Sequence, residues 1–208
     1  MKLTFFAKPP QDVYLAFSGG VDSSVLLHNL VKRGICTTIL HVHHNTDWCD
    51  VELAFAKKEA KRIGLGLVEK RIPRFDKSVS LESFWSKHRN AIFQDMDKPV
   101  LTGHILDDAI EWYLMSTCQG TVKLLNYQNR NVLRPLLGTR KSQIYKYAEY
   151  FDIKYLTDPT NEDQEFNLRN KVRHSLIPQT EAIFPGIATT VLRLIKDKES
   201  KLQTINRV

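Results

Sequence analysis

Between Val13 and Leu156 the chain alternates short apolar runs with segments of helical periodicity. The apolar runs are 13–17 (VYLAF), 36–42 (CTTILHV), 65–72, 99–102 and 131–137, and 153–156 is short and extended. Helical patterns fill 22–33, 50–63, 80–97, 107–118 and 140–151. Gly34 and Gly64 stop the first two helices, and Ser80 is placed to cap the third. Strands alternating with helices predict a parallel sheet buried on both faces. The expectation is an α/β, Rossmann-like fold with a five-stranded parallel sheet and helices on both faces. After residue 157 the pattern changes: DPTNEDQEFN is polar, and two helices are expected near 166–176 and 186–206. The boundaries so read are 1–157 for the α/β domain and 158–208 for a helical C-terminal extension packing on it.

Composition excludes several classes. No run of about 18 apolar residues exists, so no membrane span or membrane partner is expected. The N-terminus, broken by Pro9 and Pro10, does not read as a secretory leader, and Phe5 and Phe6 are expected to pack on the domain edge. Cys36, Cys49 and Cys118 are far apart and odd in number, which argues against a disulfide framework or structural zinc and for a reducing cytoplasm. Cys36 and Cys118 are expected to lie in apolar surroundings as packed thiols. A formal net charge of +7 is compatible with a nucleic-acid partner without requiring one.

The sequence LAFSGGVDSS carries the first run into a loop and then a helix. In open α/β sheets, ligands bind at the carboxyl ends of strands. Glycines admit close approach, and a helix N-terminus offers unpaired N–H groups to an anion. Ser18, Ser23 and Ser24 add hydroxyls, while Asp22 fits a phosphate site only beside a divalent cation such as Mg²⁺. Neither GxxxxGK[ST] nor GxGxxG is present at this loop.

SGGVDSS resembles the motif of the PP-loop, or N-type, ATP pyrophosphatases, which cleave ATP between its α- and β-phosphates. That resemblance implies an adenine nucleotide alpha hydrolase-like fold and ATP and Mg²⁺ as cofactors. TGHILDDAIEW, residues 102–112, gathers His104, Asp107, Asp108 and Glu111 at one strand-to-helix junction. Helical spacing lets the three acids share one rim, although acids at a helix start also simply complement its dipole. This stretch is similar to the GHxxDDxxET motif of tRNA(Ile)-lysidine synthetases, with Trp112 in place of the usual Thr. LRNKVRHSLIP, 168–178, matches that family's RNxxRHxxxP, and NVLRPLL with DPTN matches two further stretches. SLESFWSKHRN keeps Glu82 and Arg89 of another motif, with Ser86 and Asn90 replacing its arginine and tyrosine.

The resemblance implies these roles. Ser18, Gly19, Gly20, Asp22, Ser23, Ser24, His43 and Gly103 would hold ATP, with Asp22 and Asp107 facing the metal. Asp22, His104, Asp108 and Glu111 would be catalytic, with Asp108 and Glu111 receiving L-lysine. Arg89, Arg134, Arg169 and Arg173 would meet tRNA or phosphate; the last two are four apart on one helical face. Taken alone, they equally suit pairing with Asp163 and Glu165, and Lys141 suits a solvated surface. His43 and His44 lack an evident third metal ligand and suit an adenine-edge loop. The implied activity is ligation of lysine to the wobble cytidine of a CAU-anticodon tRNA, as a short form without the C-terminal domains of many relatives; a homodimer is also open. The alternatives are a PP-loop thiolase, which the missing CxxC pairs disfavour, and an inactive nucleotide- or tRNA-binding module.

Overall fold

The computed structural model of the chain describes residues 1–77, 79–158 and 168–205. Strand β1 (Asp12–Ala16) leads into helix α1 (Val21–Lys32), β2 (Cys36–His43) into α2 (Asp47–Ile63), and β3 (Leu67–Arg71) into α3 (Leu81–Asp95). Then β4 (Val100–Leu101) leads into α4 (Leu106–Cys118), and β5 (Gln128–Asn129) and β6 (Val132–Leu133) precede α5 (Lys141–Tyr150). A last helical stretch comprises α6 (Leu168–Lys171), a π-helical turn (Val172–Leu176), α7 (Ile177–Ile183) and α8 (Ile187–Ile205).

The sheet order is β3-β2-β1-β4-β6-β5. It is parallel from β3 to β6, with β5 antiparallel to β6. The sheet thus has six strands where five parallel ones were expected. The expected fifth strand, 131–137, shortens to Val132–Leu133 because Pro135 has no N–H to donate. Its upstream end folds back as a hairpin through Arg130, whose φ is 51°.

β1 is apolar because it is central: Val13 and Leu15 are fully buried in the larger core on one face of the sheet, and Tyr14 and Ala16 pack against the smaller core on the other. α8 belongs to the same core, since Val191 and Ile195 are buried in it. Thr46 accepts the Cys49 N–H and starts α2 one turn earlier than periodicity alone suggests, while Ser80 caps α3 as expected. Phe6 stacks on Tyr127 with centroids 5.6 Å apart, and Phe5 lies under the Arg33 guanidinium, as expected of a domain edge. Cys36 and Cys118 are exposed, against expectation, whereas Cys49 is buried. Each exposed thiol sits at the end of its element, where the apolar face has run out. Among the described residues no helix is long and apolar enough to cross a membrane.

Candidate functional site

The strand order turns outward in both directions from β1 and β4, so the crevice beyond their carboxyl ends is a topological switch point. The SGGVDSS loop fills one side. Gly19 has φ +78°, and a Cβ there would meet Phe55 at 2.8 Å, so glycine is required. Leu156 anchors the loop from outside, its N–H donating to Gly19 O at 2.8 Å. The segment 153–156 therefore enters as one parallel bridge, Gly20 to Leu156. Ser24 donates to Gly19 O and Ser23 to Gly20 O, which ties the loop to the first turn of α1. Gly20 is the N-cap without a side-chain cap, leaving first-turn N–H groups to an anion.

Across from the loop, Gly103 follows β4. A Cβ there would lie 3.1 Å from Ser23 N and 3.2 Å from Asp22 C, so the two strand ends approach through a missing side chain. Next to it, Thr102 Oγ1 and His104 Nδ1 are 2.8 Å apart. Burial, reinforced by Arg134, Arg169 and Arg89, lowers the His104 pKa well below its ordinary value, so the ring is neutral.

Two cavities meet at this junction. The first, about 560 Å³, is lined by Ser18, Gly20, Asp22 and Ser23, by Gly103 and His104, and by His41, His44, Trp48 and Trp85. The second, about 370 Å³, is lined by Glu82, Asp108, Glu111 and Trp112 with Arg89 and Arg134. His104, Asp108, Arg89 and Arg169 line both. Gly19 and Ser24 shape the loop from behind without lining the cavity.

Several residues stand differently from their expected places. His43 does not line the first cavity: β2 runs on to it, and its ring is buried against Asp50 at 3.0 Å. His41 and His44 line it instead, and the Nε2 of each is buried with no partner among the described residues. His41 Nδ1 lies 3.2 Å from Phe17 O, a contact that makes Nδ1 the donor and Nε2 a bare acceptor. Burial, with Arg89 nearby, drops the His44 pKa to about 4.

Asp107 lines neither cavity. Its carboxylate accepts the Lys141 N–H at 2.7 Å and pairs with Arg140, fastening α5 to α4. The three acids therefore do not share one rim: only Asp108 and Glu111, one helical turn apart, face the second cavity. Among the described residues no group of three or more His, Cys, Asp and Glu forms a metal cage. Asp22 alone suits Mg²⁺ provided phosphate oxygens complete the shell, the usual Mg²⁺ arrangement. Burial raises the Asp22 pKa, and Lys141 opposes this.

Lys141 is the residue that local reading missed. Its Nζ lies 2.8 and 3.0 Å from the two Asp22 oxygens, bringing an ammonium to a loop whose own sequence has none. The pair is 119 residues apart in the chain, so no local pattern announces it.

Arg169 and Arg173 are also placed unexpectedly. Arg169 Nε donates to Glu111 Oε2 at 2.6 Å and its Nη2 to Asp108 Oδ1. Arg173 Nε donates to Glu111 Oε1 at 2.6 Å. The two arginines do share a face, and it is the acids they meet. Burial works against the Arg169 charge, yet Asp108 and Glu111 hold its pKa raised. The other oxygen of Asp108 accepts the Ile105 N–H at 2.8 Å and caps α4. Arg134 donates to Asn126 O at 2.7 Å, and burial lowers its pKa to about 10. Asp158 lines the first cavity, while Asp163, Glu165 and the rest of 159–167 lie outside the described residues.

Comparison with known proteins shows the family of the chain. The PP-loop domain family matches residues 2–180. A tRNA(Ile)-lysidine synthase from Francisella tularensis subsp. novicida is 30% identical over 198 residues, covering 88% of this chain and 50% of its own length. The tRNA(Ile)-lysidine synthase of Persephonella marina is 30% identical, covering 88% of this chain and 44% of its own length, and that of Neisseria gonorrhoeae 28%, covering 93% and 47%. The chain thus spans about half the length of the curated relatives it matches. Among solved structures, the NH3-dependent NAD synthetase of Campylobacter jejuni aligns with TM-score 0.49 at 16% identity, over 91% of this chain and 86% of that one.

Proposed function

This chain belongs to the PP-loop domain family, and from that premise we propose that it is an ATP-dependent ligase joining lysine to the wobble cytidine of a CAU-anticodon isoleucine tRNA. The observation that carries this reading is the junction at His104, where a cavity on the SGGVDSS loop meets one holding Asp108 and Glu111. The similarity to tRNA(Ile)-lysidine synthases supports it.

In this reading ATP occupies the first cavity, with its β- and γ-phosphates against the loop and the first turn of α1. Asp22 would hold Mg²⁺ together with the phosphate oxygens, and the ion would supply charge neutralisation on the pyrophosphate side. Lys141, whose Nζ lies 2.8 Å from Asp22, would bring its ammonium to the same phosphates. The cytidine enters the second cavity. Its C2 oxygen attacks the α-phosphorus, an O–P bond forms, and the bond to the β-phosphate oxygen breaks to release pyrophosphate. The ε-ammonium of lysine first gives a proton to solvent; the free amine then attacks C2, the C2–O bond breaks, AMP leaves with that oxygen, and the newly bonded nitrogen loses a second proton. Asp108 and Glu111 position the incoming ammonium, and the neutral His104 offers a hydrogen bond at the reacting centre.

The test combines the protein with ATP, radiolabelled lysine and a CAU-anticodon tRNA. Label enters the tRNA only when ATP is present. Absence of both label and pyrophosphate release refutes the reading. Asp108→Asn should reduce lysine transfer far more than ATP binding, and equal losses would count against the role given to Asp108. Lys141→Met should weaken ATP binding by roughly tenfold or more, the range of a charged hydrogen bond, as read by the fluorescence of Trp48 and Trp85 in the cavity wall.

A further inference from the structure

The acids that would receive a cationic substrate are already occupied. Glu111 is only 2% exposed, and both its oxygens accept from guanidinium: Oε1 from Arg173 Nε, and Oε2 from Arg169 Nε and, at 3.1 Å, from Arg173 Nη2. Asp108 divides its oxygens between Arg169 and the Ile105 N–H. Among the described residues every carboxylate oxygen of the pair thus already accepts from a guanidinium or a backbone N–H, so an ammonium group would have to compete with charges held in place.

Charge points the same way. Glu82, Asp108 and Glu111 line the second cavity opposite Arg89, Arg134 and Arg169, and Arg173 adjoins them. The lining itself balances three arginines against three acids, and Arg173 beside it leaves one net positive charge, which favours an anion over a free ammonium. Arg169 also lines the first cavity, within reach of an anion bound on the nucleotide side. Guanidinium binds phosphate bidentately and can exchange a carboxylate for it by side-chain rotation alone.

We propose that Arg169 and Arg173 are a counter-ion lock that fixes the order of binding: a phosphate-bearing ligand draws the guanidinia away, and only then do Asp108 and Glu111 accept a primary ammonium. The lock rests on the reading of Asp108 and Glu111 as the lysine site. Its chemical consequence is that the amine nucleophile is admitted only when the activating nucleotide is present. It also reconciles two roles that one static arrangement cannot hold, acids that bind lysine and arginines that bind phosphate.

Equilibrium dialysis of radiolabelled lysine against the full chain tests this, with and without inorganic pyrophosphate at saturating concentration. Retention by the wild-type protein should rise at least roughly tenfold when pyrophosphate is added. Arg169→Gln should bind lysine without pyrophosphate, and the anion should no longer enhance it. If Arg169→Gln fails to give the wild-type circular dichroism, Arg173→Gln serves as the second variant and should raise anion-free retention in the same direction. Lysine bound equally well with and without pyrophosphate overturns the lock while leaving the lysine site standing. Lysine bound by neither protein under either condition overturns the lysine site, and the lock with it.

Discussion

Glu52 lines the first cavity, and burial pushes its carboxyl up to about 7 against a hydrogen bond from Cys49, with lesser effects from the Asp158 charge, which raises it, and a Trp48 hydrogen bond, which lowers it. A raised carboxyl pKa means that the folded protein keeps a proton which the unfolded chain releases at its ordinary value of 4.5. Between that value and about 7, stability therefore falls as pH rises, and the loss is complete above the folded pKa. Melting temperatures measured from pH 4.5 to 8 should decline for the wild type relative to Glu52→Gln, with the two curves diverging across this window. Parallel curves would show that Glu52 is not the group responsible. The same burial acts on Asp22 in the cavity wall, but Lys141 offsets part of it, whereas Glu52 has a second carboxylate for a neighbour.

At the scale of elements, the site depends on how closely the end of β4 approaches the start of α1. The two nearest atoms a Gly103 side chain would meet are backbone, Ser23 N and Asp22 C, which cannot swing aside as the end of a side chain can. Gly103→Ala should therefore displace the first turn of α1 and lower ATP affinity by roughly tenfold, about 1.4 kcal/mol, in a tryptophan fluorescence titration. Gly19→Ala has a different fault, a left-handed φ of +78° combined with contact against Phe55. It should cost about 1–3 kcal/mol of folding stability. Retention of full ATP affinity by Gly103→Ala would show that the strand-to-loop approach is not needed for the nucleotide.

For the whole molecule, the question is whether the helical stretch after residue 157 is an appendage. Val191 and Ile195 are buried in the same core as β1, and Glu199 Oε1 accepts the Tyr127 N–H at 2.8 Å. Ile195→Ala should cost about 2–5 kcal/mol, the range for removing a large aliphatic group from a packed core. Urea unfolding should remain one cooperative transition at a lower midpoint. A separate early transition, with the α/β part unfolding at the wild-type midpoint, would mean that α8 folds independently. Arg169 and Arg173 stand on the segment that runs directly into α7, which α8 follows after a short turn.

Read alone, the sequence determined most of the elements and several of their ends, though not the start of α2, the extent of β6 or the β5 hairpin. Apolar runs became strands, Ser80 became a cap, and SGGVDSS became a strand-to-helix loop with a free helix start. These follow from periodicity and turn chemistry, which act over a few residues. The spacing of Asp108 and Glu111 likewise put both on one face of α4. Tertiary structure alone decided what those groups face. Lys141 meets Asp22 across 119 residues, Arg169 meets Glu111 across 58, and Asp107 turns to α5 instead of the cavity. His43 is held in the sheet by Asp50 while His41 and His44 reach the cavity. The physical reason is that charge pairing is set by distance in space, and strand order and helix docking fix that distance only once the core has closed.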